Sequence, residues 1–269
     1  MTLTERLIAA AIKASDAILE VYRSGTEATW KADGSPVTEA DARAERIIIE
    51  ELSALGLPFL AEESVAAGRI PDLGDRYFVV DPLDGTKEFL KRNGEFTVNI
   101  ALCERNAPVA GIVMSPVTGR AYFTSENGRA AFSAVFRDGE RGTAEPIFTK
   151  PDAPIRIVAS RSHGHPAMPV LCEKMQIVED VTVGSSLKFG LLAAGDAQLY
   201  PRFGPTSEWD TAAGQAVLQA AGGVVWDLEG RPLTCGHRDR GFLNGPFVAA
   251  ASRALAETCL EEIAGMNKS

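Results

Sequence analysis

The chain has 269 residues, 45% of them hydrophobic and 23% charged, with a formal net charge of −9 and a pI near 5.0. Such a composition belongs to a globular chain long enough for one large core, or for two sub-domains that share one. The acidic balance excludes a surface that coats nucleic acid, but not a phosphorylated small-molecule partner, because a bound cation inverts the local field.

The first element expected is an amphipathic helix in "MTLTERLIAAAIKASDAILEVYRSG". Leu7, Ile8, Ala11, Ile18, Leu19 and Tyr22 recur at helical spacing, Thr2 and Glu5 form a capping box, and Gly25 supplies the C-cap. Charges along its whole length make it neither a signal peptide nor a membrane span. A cytoplasmic protein is therefore expected, with at most a peripheral contact to the inner face of the cell membrane. A second helix begins after Thr38, carries Ile47, Ile48, Ile49 and Leu52 inward, and stops at Gly56.

Short buried strands follow at "LPFLA" and "RYFVVD", the second ending on Asp81. Hairpins are expected in "FTVNIALCERNAPVAGIVMSP" and "GRAYFTSENGRAAFSAVF", turning at Arg105–Pro108 and Asn127–Gly128. Residues 1–150 thus read as two helices followed by a largely antiparallel sheet, with "RDGERGTAEPIFTKPDAP" as a linker region. Residues 151–269 alternate strands ("IRIVAS", "VEDVTVG", "AQLYPRF", "GVVWD", "PFVAAAS") with helices ("PAMPVLCEKM", "SSLKFGLLAAG", "EWDTAAGQAVLQAAG", "RALAETCLEEIAG"). That alternation predicts an α/β second part of one compact functional unit. Cys103, Cys172, Cys235 and Cys259 show no ligand-like spacing and read as reduced, packed thiols.

The chemistry concentrates in "AEES" and "DPLDGT". An apolar strand runs into carboxylates at Glu62, Glu63, Asp81 and Asp84, which repel one another and lose hydration unless something positive sits among them. They are either exposed turn residues or the cage of a hard divalent cation. Pro82 sets φ and Gly85 permits a tight reversal, so Asp81, the Leu83 carbonyl and Asp84 can bear on one point. Carboxylate plus carbonyl oxygen suits Mg²⁺ rather than zinc. Thr86 follows where "GTKEFL" opens a helix, either as its cap or as a hydroxyl that orients a water beside an anion-binding N-terminus. Asp210 in "EWDTAAG" starts another helix, where an acid also favours the helix dipole.

Together these segments resemble the inositol-monophosphatase-like, Mg²⁺-dependent, lithium-sensitive phosphatases. "WKADGSPVTEAD", "AEES", "DPLDGT" and "EWDTAAG" stand in the family's order and span nearly the whole chain. The resemblance implies a mixed α/β fold, a layered αβαβα sandwich. Within the family, "DPLDGTKEFLKRNGEFTVNIAL" and "SSLKFGLLAAGDAQLYPRF" are most similar to the 3′(2′),5′-bisphosphate nucleotidases of the CysQ type. Lys87-Glu88 stands where inositol monophosphatases have a Thr-Asn pair.

By that resemblance Glu62, Asp81, the Leu83 carbonyl, Asp84 and Asp210 hold two or three Mg²⁺ ions. Asp41, Thr86 and Glu63 are the catalytic set, with Asp41 and Thr86 orienting and deprotonating the attacking water. The substrate lies against Glu62, Leu83, Asp84, Gly85, Thr86 and Asp210. Ser185, Lys188 and Arg202 grip the phosphate that is not cleaved, and His163 is a further substrate contact. The implied activity is hydrolysis of 3′-phosphoadenosine 5′-phosphate to AMP and phosphate, by a monomer that Li⁺ inhibits. Inositol monophosphatase or fructose-1,6-bisphosphatase activity is the alternative, and a non-catalytic metal- and nucleotide-binding sensor is a third reading.

Overall fold

A computed structural model describes residues 1–25, 29–30, 36–137, 140–160 and 165–266. The chain builds alternating layers of helix and sheet. Helix α1 (Leu3–Ser24) carries the Thr2–Glu5 capping box and ends at Gly25, and α2 (Glu39–Leu52) is capped by Thr38. Each has one apolar face, and these faces pack on each other and on the outer face of the first sheet. Burying Leu7, Ile18 and Val21 from α1 contributes about 1.5–3 kcal/mol each.

The first sheet has eight strands. Six of its neighbours run, in spatial order, Ala131–Arg137, Arg120–Thr124, Ala107–Met114, Thr97–Glu104, Arg76–Asp84 and Phe59–Ala61. Pairing is antiparallel except between Phe59–Ala61 and Arg76–Asp84, which run parallel. The stretch read as a linker is partly sheet: Glu145–Ile147 pairs with Ala131–Ser133 as an edge strand, and Glu140–Arg141 folds back on the end of the same strand. Polar, Pro-containing sequence is what an edge strand tolerates, and so it hid this one.

The second sheet has five strands, in the order Glu179–Val183, Arg156–Ser160, Leu199–Arg202, Phe247–Ala250 and Val224–Asp227. Helices α6 (Leu187–Ala193) and α7 (Glu208–Ala220) lie between the two sheets, whereas α5 (Ala167–Lys174) and α8 (Arg253–Met266) cover the far face of the second. This is the α/β layering expected. The sandwiched α7 comes very close to the first sheet: a Cβ on Gly111 would lie 2.9 Å from the Ala213 carbonyl oxygen. That approach carries the start of α7, with Asp210, up to the strand that carries Asp81 and Asp84.

Candidate functional site

Sequence reading ended the central strand at Asp81, but it continues to Asp84. Its register against the neighbouring strand shifts between Asp81, opposite Asn99, and Asp84, opposite Thr97. One residue is thus extra, a β-bulge at Pro82–Leu83, where a proline without an N–H breaks no ladder bond. The bulge turns two carboxylates of one strand towards the same side. Gly85 then takes φ +97°, and a Cβ there would meet the Glu95 carbonyl oxygen at 3.1 Å.

Asp81, Asp84 and Asp210 each offer a carboxylate oxygen, all within 4.8 Å of one another. Asp81 is fully buried, and its Oδ1 accepts the Leu83 N–H at 3.0 Å. Desolvation, then the charges of Glu62, Asp84 and Asp210, raises the Asp81 carboxyl well above the usual range. Glu62, first residue of α3 (Glu62–Ala66), hydrogen-bonds Asp81 from the next strand end. Asp210 keeps an edge towards solvent, yet the protein crowded around its carboxylate, and then Asp84, push it up to about 6.

These residues fit a hard cation. The donor set is all oxygen, the three acids repel one another, and Thr97 Oγ1 and Asn99 Oδ1 beside them are buried without a hydrogen-bond partner. Metal-free, Asp210 binds its proton more tightly folded than unfolded. Its stabilising contribution is therefore complete below the ordinary carboxylate range and lost as pH rises through about 6. We expect the chelated protein to melt at lower temperature at pH 7.5 than at pH 5, with saturating divalent cation reversing the order. Thermal melts at both pH values with and without chelator measure this, and an unchanged trend on adding metal would refute it.

Asp41 and Thr86, distant in sequence, meet here: Thr86 Oγ1 lies 3.2 Å from Asp41 Oδ1 and 3.3 Å from the Leu83 carbonyl oxygen. Thr86 is not the cap of α4 (Thr86–Leu90); Gly85 occupies that position without a side-chain bond, which leaves the hydroxyl for Asp41. Asp41 is buried and held by the Thr38 N–H and hydroxyl at 2.8 and 2.7 Å, so the capping box of α2 also fixes the carboxylate. Glu63 is partly buried in the first turn of α3, and its N–H donates to Glu45 at 2.7 Å.

Beside the acids lies a cationic group. Lys188 is 5% exposed; its ammonium donates to the Ser185 and Val183 carbonyl oxygens and sits 5.5 Å from the Tyr200 ring centroid. Burial pulls Lys188 below its usual range, opposed by Asp84 and reinforced by Arg202. Ser185 adopts φ +50°, a strained conformation for serine, and its Oγ has no partner; neither has Arg202 Nε. Arg202 Nη2 donates to the Pro205 carbonyl oxygen. His163, the remaining expected contact, lies outside the described residues.

Four residues of the site escaped sequence reading. Ser186 Oγ lies 2.6 Å from Asp84 Oδ2 and 2.7 Å from the Asp210 carbonyl oxygen, and accepts Asn99 Nδ2 at 2.9 Å. Thr206 Oγ1 donates to Asp210 Oδ2 at 2.7 Å. Buried Glu45 accepts from both Glu63 N–H and Ser64 Oγ, tying α3 to α2. An Asn at an inward strand position was the available signal for Asn99; a Ser or Thr near a turn carries none. Ser186→Ala should weaken divalent-cation affinity about 10–100-fold with the fold intact, measured by calorimetric metal titration. An unchanged affinity would show that Ser186 does not position Asp84.

The whole chain, over residues 2–266, matches the inositol monophosphatase family. The chain belongs to that family of metal-dependent phosphatases. It is 44% identical to the 3′(2′),5′-bisphosphate nucleotidase CysQ of Salmonella typhimurium over 247 residues, 90% of this chain and 97% of that protein. With the Escherichia coli K12 protein of the same name it shares 45% identity over 239 residues, 87% of this chain and 94% of that one. Among solved structures, CysQ from Bacteroides thetaiotaomicron superposes with a TM-score of 0.76 at 36% identity, covering 92% of this chain and 96% of that one. An inositol monophosphatase from Thermotoga maritima gives the same TM-score at 22% identity, over 97% and 96% of the two chains, a likeness of fold alone.

Proposed function

We propose that the protein is a Mg²⁺-dependent 3′(2′),5′-bisphosphate nucleotidase that hydrolyses 3′-phosphoadenosine 5′-phosphate to AMP and phosphate. The carrying observation is that buried Lys188 and partly exposed Arg202 lie with Ser185 beside the acid cluster, with Ser185 Oγ and Arg202 Nε left unpartnered. A monophosphate needs only the acids and their cation. A second phosphate gives Lys188 and Arg202 a partner, and these two cations pair most strongly with a phosphate held out of water.

Glu62, Asp81, the Leu83 carbonyl, Asp84 and Asp210 are the proposed Mg²⁺ ligands. Held by those oxygens, Mg²⁺ would supply acidification of a water and charge for the leaving ribose oxygen, and Li⁺ would inhibit by competing for the same residues. The chain's own part is alignment and proton transfer. Thr86 donates its proton to Asp41, so its oxygen lone pair is turned outward to accept a hydrogen bond from the attacking water. As that water attacks in line, its proton passes to Thr86 while the Thr86 proton moves to Asp41. Glu63, with its backbone held by Glu45, keeps the acidic turn of α3 in place. The ends of α4 and the bulge, Leu83, Asp84, Gly85 and Thr86, face the scissile phosphate. A cytoplasmic monomer is part of this reading.

The test is phosphate release by the purified protein with Mg²⁺ from 3′-phosphoadenosine 5′-phosphate, inositol 1-phosphate and fructose 1,6-bisphosphate at equal low concentration. Preference for the nucleotide supports the reading. Equal or reversed preference would keep the metal site and reassign the enzyme to sugar phosphates.

A further inference from the structure

A second cavity lies on the outer side of the first sheet, and none of its residues belongs to the site described above. Among the described residues, that face is covered by α1 and α2. The flank of α1 turned away from α2 therefore overhangs the sheet beside Ala131–Arg137 with no third helix against it. The space left measures about 830 Å³, within the range of small-molecule sites. Ile8, Ile12 and Leu19 line it from α1, Met114 and Phe136 from the sheet, and Val117 from the turn after Met114. Ile8 to Leu19 spans about 16 Å of helix, so the apolar floor is long and narrow.

Two observations point to a ligand of particular chemistry. Ser15, midway along this wall, is 2% exposed and its Oγ has no hydrogen-bond partner. A hydroxyl in a helix costs little when it reaches a backbone carbonyl, and here it reaches none. The two ends also differ in charge. Arg23 and Arg137 both border the cavity near the turn Ser115–Gly119: Arg137 donates to the Thr118 carbonyl oxygen, and Tyr22, next to Arg23, packs on Phe96, close to Gly94 and Val117. Arg23 has no acidic partner among the described residues, and Arg137 stands opposite Glu140 in the strand register. Glu5 stands at the opposite end, where Glu126 caps α1, and Asp16 on the exposed rim. Two guanidinium groups outweigh the partial negative charge of the α1 C-terminus beside them.

We propose that this groove is a second binding site, for a small amphipathic anion. Its chain or ring lies along Ile12, Leu19, Met114 and Phe136, a polar atom meets Ser15 Oγ, and the anionic head sits between Arg23 and Arg137. The probe is decanoate, titrated calorimetrically into the full chain loaded with Mg²⁺, with decyltrimethylammonium as the same chain bearing the opposite charge. One-to-one decanoate binding is expected, with the cation about tenfold weaker. Arg23→Gln combined with Arg137→Gln should weaken decanoate about tenfold, and Ile12→Glu at least as much, while phosphate release stays unchanged in both. Absence of saturable decanoate binding, equal binding of the cation, or full binding by both variants would overturn the proposal. So would displacement of decanoate by inorganic phosphate, which would put the probe in the catalytic site.

Discussion

Asp81→Asn lowers metal-dependent phosphate release by about 10³-fold or more, and it raises the melting temperature of the chelated protein. The two effects share one cause. Asp81 is buried and its carboxyl is raised by desolvation and by Glu62, Asp84 and Asp210, so in the absence of a cation its charge opposes folding. An amide is nearly the same shape, still accepts the Leu83 N–H, and carries no charge. The repulsion disappears, and with it the charge that makes the oxygens a cation site. Added Mg²⁺ should stabilise the native sequence far more than the variant. Phosphate release and thermal melts with and without chelator measure both arms. Retained turnover would remove Asp81 from the metal site; a chelated variant less stable than its parent would show that packing outweighs charge there.

Arg202→Ala and Lys188→Met each lower hydrolysis of 3′-phosphoadenosine 5′-phosphate by about 10–100-fold in kcat/KM while a simple monophosphate changes little, as expected for loss of one charge-assisted hydrogen bond to a phosphate. Methionine keeps the bulk of the Lys188 stem against Tyr200, so the fold is spared. Arg202 is partly exposed and contributes its Nε and remaining N–H groups rather than core packing. Kinetics on the two substrates separate the roles. Equal losses on both would assign the cations to the acid cluster or to the fold, not to the second phosphate.

Much of this was legible in the chain. Helical periodicity with Thr2, Glu5 and Thr38 placed the starts of the first two helices, because caps and apolar spacing are local signals; the second leaves α geometry after Leu52 and reaches Gly56 as a 3₁₀ turn. The acids of "DPLDGT" were legible for another reason: carboxylates at the end of a buried strand lose hydration and repel one another, so they read as either exposed turn residues or a cation cage. Asp210 of "EWDTAAG", by contrast, had the helix dipole as a reason of its own. The bulge at Pro82–Leu83 was not, since Pro and Gly mark a turn and a bulge alike. Nor were the partners of the acids. Ser186 and Thr206 are common residues in ordinary places, and only their distances to Asp84 and Asp210 set them apart.

The sequence by itself determined which residues are charged, which segments are amphipathic, and in which segments the candidate acids lie. Tertiary structure decided that Asp210, 126 positions beyond Asp84, stands within ligand distance of it, that Thr86 turns to Asp41 rather than capping its helix, and that Lys188 is buried beside them. Spacing along a chain reports only neighbours on one element. Bringing α7 against the first sheet depends on Gly111 and on close packing between layers, and a meeting of that kind leaves no periodic trace.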